Sequence, residues 1–410
     1  MATFKTISDG NIQTTRNVLN QLVDFVAEDV SGSDTNNTRK KFQVFVTGGF
    51  GSSPGVTSSL FQTVFDQNYA LQTSNELFDL TMGIFDGSET AITASGGTTI
   101  TDSRGKKLYP SSTLMMREKT GIYSQFAQLL LGNSAAQFTA PFSMATDSGT
   151  GAFHNEINEA LFMPFKRLFT RDGIKRETFA MRFYQSASRS AADDYPYTTT
   201  NLWSGISSGS VIFTDVGSGA SIETSPNGGG VGNIVNSSNT TETVGLMFYD
   251  YGVAVFDMKK ILNGNQTMSG SIHAADSPTG TTMMTGSFIP DFVVSASIDQ
   301  VLDHIASRRF GSGSETFCTF QNNTLINSTL YFCRATADEF NFSSNPTYTD
   351  TTGRLVVIDS GQESLQKGFC FITTVGLFNA NEELLAMAKL SRPVMKNDEK
   401  DLTFRVRLDF

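Results

Sequence analysis

The last residues of the chain alternate between apolar and polar side chains. The apolar set consists of Leu402, Phe404, Val406, Leu408 and Phe410. The polar set between them consists of Thr403, Arg405, Arg407 and Asp409. A period of two residues is typical of a β-strand with one buried face. The pattern therefore predicts a C-terminal strand whose apolar side packs on a core.

Two more strands are predicted just before this one. Residues 371–378 are rich in β-branched and aromatic side chains, and residues 384–390 are apolar again. The residues that share one face of the second segment are Leu384, Ala386, Ala388 and Leu390. Arg392-Pro393 is expected to break that strand, because proline cannot donate to a ladder. We expect a three-stranded antiparallel meander, which either closes its own sheet or adds to the sheet of another subunit.

Hydrophobic periodicity predicts further elements along the rest of the chain. Helices are predicted at residues 11–28, 114–131, 155–169 and 297–308. Strands are predicted at residues 41–46, 178–184, 210–215, 221–224, 317–320 and 329–336, with a hairpin at 244–257. The aromatic segments 60–69 and 75–83 are expected to be buried. The segment 84–112 is rich in Gly, Ser and Thr and is expected to form a long loop, whereas 185–242 is expected to form surface loops or a small β insertion.

These elements predict an α+β, β-rich fold with several domains. We expect antiparallel sheets, a few amphipathic helices and the C-terminal meander. The expected domains are a mixed α+β domain at 1–184, a Gly/Ser/Thr-rich β insertion with a hairpin at 185–295, and a β-rich domain at 296–410.

Composition narrows the class of protein. The 410 residues include 34 phenylalanines but one tryptophan, so the cores are expected to be rich in Phe. Only 17% of the residues are charged and the net charge is −10, which argues against nucleic-acid binding, because that binding needs clustered Lys and Arg. No apolar run has the length needed to span a bilayer and no secretory signal is recognisable, so we expect a soluble protein made in a cytoplasm.

The residues that usually carry chemistry form no recognisable site. The cysteines, Cys318, Cys333 and Cys370, lack metal or redox spacing and are interpreted as buried free thiols. The histidines, His154, His273 and His304, stand in unrelated contexts. Residues 205–209 match G-x-S-x-G without the strand and helix of a nucleophile elbow, and the glycine-rich segment 48–55 lacks the remaining residues of a phosphate loop.

Two charged groups leave alternatives open. Glu156 and Glu159 would lie one helical turn apart in the predicted helix 155–169 and could share a site, as in a glycosidase. A basic cluster consists of Lys166, Arg167, Arg171, Lys175 and Arg176. It either surrounds a helix end, where the helix dipole favours cations, or meets an acidic partner.

We expect no catalytic, cofactor-binding or metal-binding residues, and hence a structural or interaction protein rather than an enzyme.

Four groups of packing and turn motifs follow one another along the chain. They lie at residues 60–66 with 75–83, at 122–132, at 339–348, and at 372–390 with 404–408. In order and spacing they resemble a family of virion structural proteins from contractile-tailed phages, especially cyanophages and other marine myoviruses. Since these are packing motifs, the resemblance implies a shared fold and no reaction.

The resemblance implies a non-enzymatic structural subunit of a tailed-phage virion, in the tail or baseplate. Such a subunit would be made in the host cytoplasm and would assemble with other virion proteins and with further copies of itself in a symmetric assembly, without a cofactor, nucleic acid or membrane. The residues expected at its interfaces are Phe340, Phe342, Phe404, Val406, Leu408 and Phe410. The alternatives are a neck or connector component, a fibre-attachment or host-recognition module that uses the loops around 186–242, and a wall-degrading hydrolase that uses Glu156 or Glu159.

Overall fold

The computed structural model describes most of the chain. The described residues are 4–31, 38–45, 57–87, 114–143, 155–166, 172–185, 210–220, 222–262, 265–267, 285–287, 293, 296–311 and 313–409. Strands make up 49% of them, and the helices are few. The β-rich class with antiparallel sheets is therefore confirmed.

The elements are numbered in chain order. The described helices are α1 (Ala27–Ser31), α2 (Leu114–Leu131), α3 (Met258–Ile261) and α4 (Ile298–Arg308). The first ten strands are β1 (Ile12–Val26), β2 (Arg39–Phe45), β3 (Thr57–Phe65), β4 (Glu76–Ile84), β5 (Phe138–Thr139), β6 (Glu156–Ile157), β7 (Glu159–Pro164), β8 (Asp172–Ile174), β9 (Ala180–Tyr184) and β10 (Ser210–Thr214). The others are β11 (Glu223–Ser225), β12 (Gly229–Asn236), β13 (Asn239–Phe248), β14 (Val253–Asp257), β15 (Asn265–Thr267), β16 (Thr285–Ser287), β17 (Thr316–Ala335), β18 (Cys370–Phe378), β19 (Leu384–Lys396) and β20 (Leu402–Asp409).

The chain forms two compact units. The larger unit is Leu19–Thr324, and the smaller unit comprises Met1–Val18 together with Leu325–Phe410. The boundary falls within β1 and β17, so each of these strands contributes residues to both units. The domain boundaries expected after residues 184 and 295 both fall within Leu19–Thr324. Strand β9 pairs with β10 across the first of these boundaries.

The larger unit is built on an antiparallel sheet with the strand order β9-β10-β12-β13-β14-β7-β4-β3-β2. β13 and β14 form the hairpin that the sequence predicts, and Gly252 in its turn has a φ of 61°. β7 lies between β14 and β4, and its residues from Glu159 to Met163 are all buried. A strand covered on both faces has no need for polar alternation, which explains its almost continuous apolar sequence.

Phenylalanine fills the core of the larger unit, as the composition predicts. The ring of Phe25 lies 5.4 Å from Phe78, 5.8 Å from both Phe165 and Phe320, and 6.4 Å from Phe317, measured between centroids. Aromatic pairs at such separations prefer offset or edge-on packing. These rings come from segments that are far apart in the chain, so the core forms only when distant strands meet.

Helix α2 covers the predicted range and packs closely on β4. At Gly83 of β4, an added Cβ would lie 2.8 Å from the backbone nitrogen of Tyr123. The Tyr123 hydroxyl donates to the carbonyl of Ile157 at 2.7 Å and accepts from the N–H of Phe138 at 2.9 Å. This helix therefore approaches the sheet at a position where a side chain on β4 would be in the way.

The end of α2 and the start of α4 each carry a residue that is typical of that helix terminus. Gly132, directly after α2, has a φ of 79°, the left-handed conformation that commonly closes a helix. Ser297 caps α4 and forms a capping box with Gln300. The predictions of helices at 114–131 and 297–308 are confirmed.

In the smaller unit, β20 pairs antiparallel with the second half of β17. The ladder runs from Ser328 opposite Asp409 to Ala335 opposite Leu402. β18 and β19 form a separate two-stranded sheet, and residues 336–369 connect β17 to it. In this connection Tyr348 is buried and donates its hydroxyl to the carbonyl of Phe369 at 2.9 Å.

The helix predicted at 11–28 is wrong, because Ile12–Val26 forms strand β1. Val18, Leu19 and Leu22 match helical spacing, yet all three are exposed. β1 instead pairs with β17, a strand of 20 residues that spans both strands predicted at 317–320 and 329–336. A strand partner about 300 residues away provides backbone hydrogen bonds that local periodicity cannot reveal.

The helix predicted at 155–169 is also wrong. Strands β6 and β7 occupy this region, and β7 takes its place between β14 and β4. A short apolar run has the same pattern in a buried strand and in a buried helix, so the sequence could not separate the two.

The predicted C-terminal meander needs a correction. β18 and β19 pair as expected, but β20 pairs with β17 and not with β19. Pro393 does not end β19, which continues to Lys396. The ladder shifts register between Ile372 and Thr374, opposite this part of β19, and such an irregularity tolerates proline because the N–H is not needed for pairing.

The segment 185–242 is more regular than expected. β10, β12 and the beginning of β13 are interior strands of the sheet, and β10 and β11 confirm the short strands predicted at 210–215 and 221–224. Residues 186–209 and 88–113, which belong to the two predicted loops, lie outside the described residues.

Candidate interaction surface

The turn of the β18–β19 hairpin is held by its own hydrogen bonds. The side-chain oxygen of Asn379 accepts from the backbone N–H of Asn381 at 2.9 Å and of Glu383 at 2.8 Å. Its amide donates to the Glu383 carboxylate at 2.7 Å, while Glu382 has a φ of 63°. Asparagine often bonds the backbone two residues further on in this way. The predicted polar turn is confirmed, and it places two carboxylates at the tip of the hairpin.

Large apolar side chains lie exposed beside this tip. The hairpin surface, as we call it, consists of Phe378 (42% exposed), Leu384 (54%), Leu385 (67%) and Met387 (59%). Phe378 is opposite Leu384 in the ladder, and the ring of Phe4 lies edge-on against Phe378 with centroids 4.9 Å apart. A contiguous exposed apolar group marks a contact site more often than scattered single residues do. The hairpin surface is therefore a candidate for burial against another molecule.

The opposite end of the hairpin is anchored by Lys396. Its side chain is fully buried, and Nζ donates to the side-chain oxygen of Asn341 at 2.7 Å and to the carbonyls of Asn397 at 2.8 Å and Ala337 at 3.2 Å. Cys370, opposite Lys396 in the ladder, donates its thiol to the carbonyl of Phe340 at 3.0 Å. A buried ammonium group is stable only with such acceptors. These bonds fix the base of the hairpin to residues 337–341.

Strand β20 divides its side chains as its sequence predicts. Val406 is buried, and the half-buried residues of the same set are Leu402, Phe404 and Leu408. The exposed residues of the other set are Thr403, Arg405, Arg407 and Asp409. Paired residues of antiparallel strands point to the same side. Since Arg405 is opposite Phe332 and Arg407 is opposite Leu330, these four residues share one side of the β17–β20 ladder, which we call the arginine face.

The interface residues expected from the sequence lie in different environments. Phe340 and Phe342 are 39% and 42% exposed, and Phe342 packs edge-on against Tyr348. Phe404 and Leu408 are half-buried. Val406 is 7% exposed, so this chain itself already covers most of the Val406 side chain. Phe410 lies outside the described residues. A role of these residues in an interface stays a prediction.

Sequence reasoning missed the hairpin surface, although a signal was present. The expected apolar face of the second strand included Leu384, Ala386 and Ala388, but Leu385 and Met387 between them are also apolar. A strand that is apolar on both sides either lies in the middle of a covered sheet or has an exposed apolar side. Because β19 belongs to a two-stranded sheet, the second case applies. The register shift between Leu377 and Phe378 brings Leu384 and Met387 to the same side, since their partners Phe378 and Gly376 are two residues apart.

The two glutamates of the hydrolase alternative lie in different surroundings. Glu156 is exposed on β6, whereas the Glu159 side chain is fully buried on β7, with Nζ of Lys259 at 3.5 Å. Next to β7, Asp257 is also buried, and burial raises the pKa of this carboxyl to about 6. Sequence reasoning missed Asp257. It accepts from the N–H of Lys259 at 3.0 Å as the cap of α3, which accounts for its presence without a reaction.

The described members of the basic cluster have partners within the larger unit. Lys166 forms an ion pair with Asp79 at 2.9 Å, and Lys175 donates to Gln321 at 3.0 Å. Arg176 donates to the carbonyl of Val231 and lies over the ring of Tyr249, 4.4 Å from its centroid. Their placement at a helix end is wrong, since this region forms strands; Arg167 and Arg171 lie outside the described residues.

A buried polar group lies next to this arginine. Asp215 accepts from the Tyr249 hydroxyl at 2.8 Å and from the N–H groups of Glu177 at 2.8 Å and Phe179 at 3.0 Å. Burial raises the pKa of the Asp215 carboxyl, while these donors lower it. Ser218, which also bonds Tyr249, lines a cavity of about 350 Å³. These bonds tie the turn after β10 to the β13–β14 hairpin, so the group has a structural explanation.

The remaining candidate residues add no site. His304 is buried beside Arg309, and the described part of the chain contains no group of three or more His, Cys, Asp or Glu residues that could hold a metal ion. Cys318 and Cys370 are buried free thiols, and Cys333 is a partly exposed one. His154, His273 and the glycine-rich segments 48–55 and 205–209 lie outside the described residues. None of the described helices is long and apolar enough to cross a membrane.

Comparisons with protein-family models, with curated proteins and with solved structures find no match to this chain.

Proposed function

We propose that the protein is a non-enzymatic structural subunit of a contractile-tailed phage virion, located in the tail or baseplate, and that it acts by assembly. It contacts other virion proteins and further copies of itself, and it needs no cofactor, nucleic acid or membrane. Two lines of reasoning support this proposal: the resemblance of the packing motifs described above and the hairpin surface.

The hairpin surface is the observation that carries the proposal. Four large apolar side chains are exposed on one two-stranded sheet, and Phe378, Leu384 and Met387 share a side of it. Burying one such side chain stabilises a complex by roughly 1.5–3 kcal/mol before the costs of association. A group of this size on a strand pair fits a protein partner better than a small ligand, for which pockets are concave.

The free thiols fit folding in a host cytoplasm. A reducing compartment keeps cysteines such as Cys318, Cys333 and Cys370 unpaired. Assembly in that compartment would precede any exposure of the particle to an oxidising medium. Burial of Cys318 and Cys370 would then protect both thiols in the finished particle.

Mass spectrometry and electron microscopy of purified particles of the encoding virus test the proposal. We expect the protein to be present in several copies for each particle, and gold-labelled antibodies against it to mark the tail or its distal end. Labelling at the neck or on the fibres would replace the location with one of the alternatives. A protein that is abundant in infected cells and missing from washed particles would remove the structural role.

One variant tests the hydrolase alternative at the exposed glutamate. Glu156 is the exposed member of the two glutamates considered for hydrolysis. Replacing Glu156 by Gln should leave lytic activity and infectivity unchanged, because a structural subunit does not use this carboxylate. A loss of lytic activity with an intact particle would favour the hydrolase instead.

A further inference from the structure

We infer that the hairpin surface of one copy docks on the arginine face of a second copy of this chain. The inference rests on the proposed function, because it names the partner and the receiving surface for the same assembly. Both surfaces lie in the smaller unit. The contact joins two different surfaces, so each copy can give its hairpin to one neighbour and receive the hairpin of another.

The donating surface combines apolar side chains with negative charge. Glu382 and Glu383 lie at the hairpin tip, directly before Leu384 and Leu385. Glu383 is held by Asn379, whereas the exposed Glu382 side chain forms no hydrogen bond or ion pair with any described residue. The cations of the hairpin, Lys389 and Arg392, lie further along β19, and Lys396 is buried at the base. The tip is therefore the acidic end of an apolar surface.

The receiving surface has the complementary composition. On the arginine face, Arg405 and Arg407 lie opposite the half-buried apolar side chains of Phe332 and Leu330. Arg407 is paired with Asp409 at 2.8 Å, whereas exposed Arg405 has no ion pair within the described residues. Arginine next to apolar surface is favoured at interfaces, since its guanidinium group is weakly hydrated and binds carboxylates in fixed geometry.

Charge complementarity identifies the occupant as a second copy. The hairpin surface offers an exposed acid with a neighbouring acid at an apolar tip, and the arginine face offers an exposed arginine opposite the half-buried ring of Phe332. Each surface supplies the charge that the other surface lacks, and every copy of the chain carries both surfaces. Such a head-to-tail contact produces a ring if the rotation closes and an open chain of subunits if it does not.

Sedimentation velocity of the full-length protein over a concentration series tests this inference. We expect reversible association of the unaltered protein. Met387→Ser should raise the dissociation constant by about tenfold, because burying a large apolar side chain contributes at least that much. The charge reversals Glu382→Arg and Arg405→Glu should each raise it by about threefold or more, as expected for removal of an exposed ion pair and its replacement by repulsion.

The combined reversal is the decisive variant. Glu382→Arg together with Arg405→Glu restores the pair in the opposite sense, so its dissociation constant should return toward that of the unaltered protein. Matched controls lie in the larger unit: Leu71→Ser removes an exposed leucine and Glu223→Arg reverses an exposed acid. Both should leave association unchanged. Circular dichroism of every variant checks that it is folded.

Each other outcome overturns the inference. A folded protein that stays monomeric at the highest concentration has no such contact. Association that none of the hairpin or arginine variants weakens uses other surfaces, and single reversals that weaken association without rescue in the combination show a different receiving surface. If the protein is monomeric yet present in virions, only this inference fails. If it associates as expected yet is missing from particles, only the proposed virion role fails.

Discussion

The ammonium group of Lys396 donates a hydrogen bond to the side-chain oxygen of Asn341 at 2.7 Å and connects the base of the β18–β19 hairpin to the segment before it. Lys396→Met keeps much of the length of the side chain and removes the donor. We expect a loss of about 1–3 kcal/mol of local stability, since buried acceptors lose their partner. Hydrogen exchange of the hairpin amides measures it.

The exposed Lys389 on the same strand is the matched control for this change. Lys389→Met removes one ammonium group without a buried acceptor, so exchange in the hairpin should stay as in the unaltered protein. Equal exchange rates in both variants would contradict the anchoring role of Lys396.

The close approach of α2 to β4 predicts opposite effects for two Gly→Ala changes. Gly83→Ala places a Cβ 2.8 Å from the Tyr123 backbone nitrogen and should lower the free energy of unfolding by about 1–3 kcal/mol, as overpacking does. Gly121→Ala, in α2 with nothing within 4 Å of the added carbon, should raise it by up to about 1 kcal/mol, because alanine favours the helix. Urea unfolding measures both. If Gly83→Ala is neutral, the packing of α2 on β4 is looser than described.

Asp257 makes the stability of the larger unit depend on pH. Its pKa is about 6 in the folded protein against 3.8 for an ordinary aspartate, because burial disfavours the charged form. Between these values the folded state binds more protons than the unfolded state, so this group lowers the free energy of unfolding as the pH rises from about 4 to 6. The loss is at most about 3 kcal/mol.

Asp257→Asn should remove this dependence. Asparagine also caps helices, so the N-terminus of α3 keeps its acceptor while the charge disappears. We expect the variant to unfold at the same urea concentration as the unaltered protein at pH 4 and at a higher concentration at pH 7. Asp86→Asn, which removes an exposed carboxylate, serves as the control. No gain at pH 7 for Asp257→Asn, or an equal gain in the control, would contradict the role of Asp257.

The three thiols should react in the order of their exposure. Cys333 is partly exposed, Cys370 is 8% exposed and Cys318 is fully buried, and burial raises the pKa of each thiol. Since the thiolate is the reactive form, a disulfide reagent should label Cys333 first and Cys318 only after unfolding. Peptide mapping after timed labelling follows the order, and Cys333→Ser should remove the first phase. Labelling of Cys318 in the native protein at the rate of Cys333 would contradict it.

Local sequence patterns were sufficient to predict the elements that their own residues specify. The helices 114–131 and 297–308 carry their apolar stripes together with a closing glycine or a capping serine, and both were predicted within about one residue. The hairpin turn at 249–252 and the polar turn at 379–383 were also predictable, since turn residues act on their own backbone.

The candidate interaction surface was predictable in part. Alternation along β20 correctly separates the half-buried Phe404 from the exposed Arg405 and Arg407, because side chains of a strand point to alternate sides wherever it pairs. The exposure of Leu385 and Met387 could not be predicted in the same way. This exposure depends on which strands cover β19, and the sequence pattern of β19 does not show which strands those are.

The sequence by itself determined the β-rich class, the phenylalanine-rich core, the long helices and the orientation of side chains along β20. Only the tertiary structure decided that residues 12–26 form a strand, that β20 pairs with β17, and that β7 is a strand between β14 and β4. The physical reason is that a helix satisfies its backbone hydrogen bonds within one segment, whereas a strand satisfies them with a partner that lies far away in the chain.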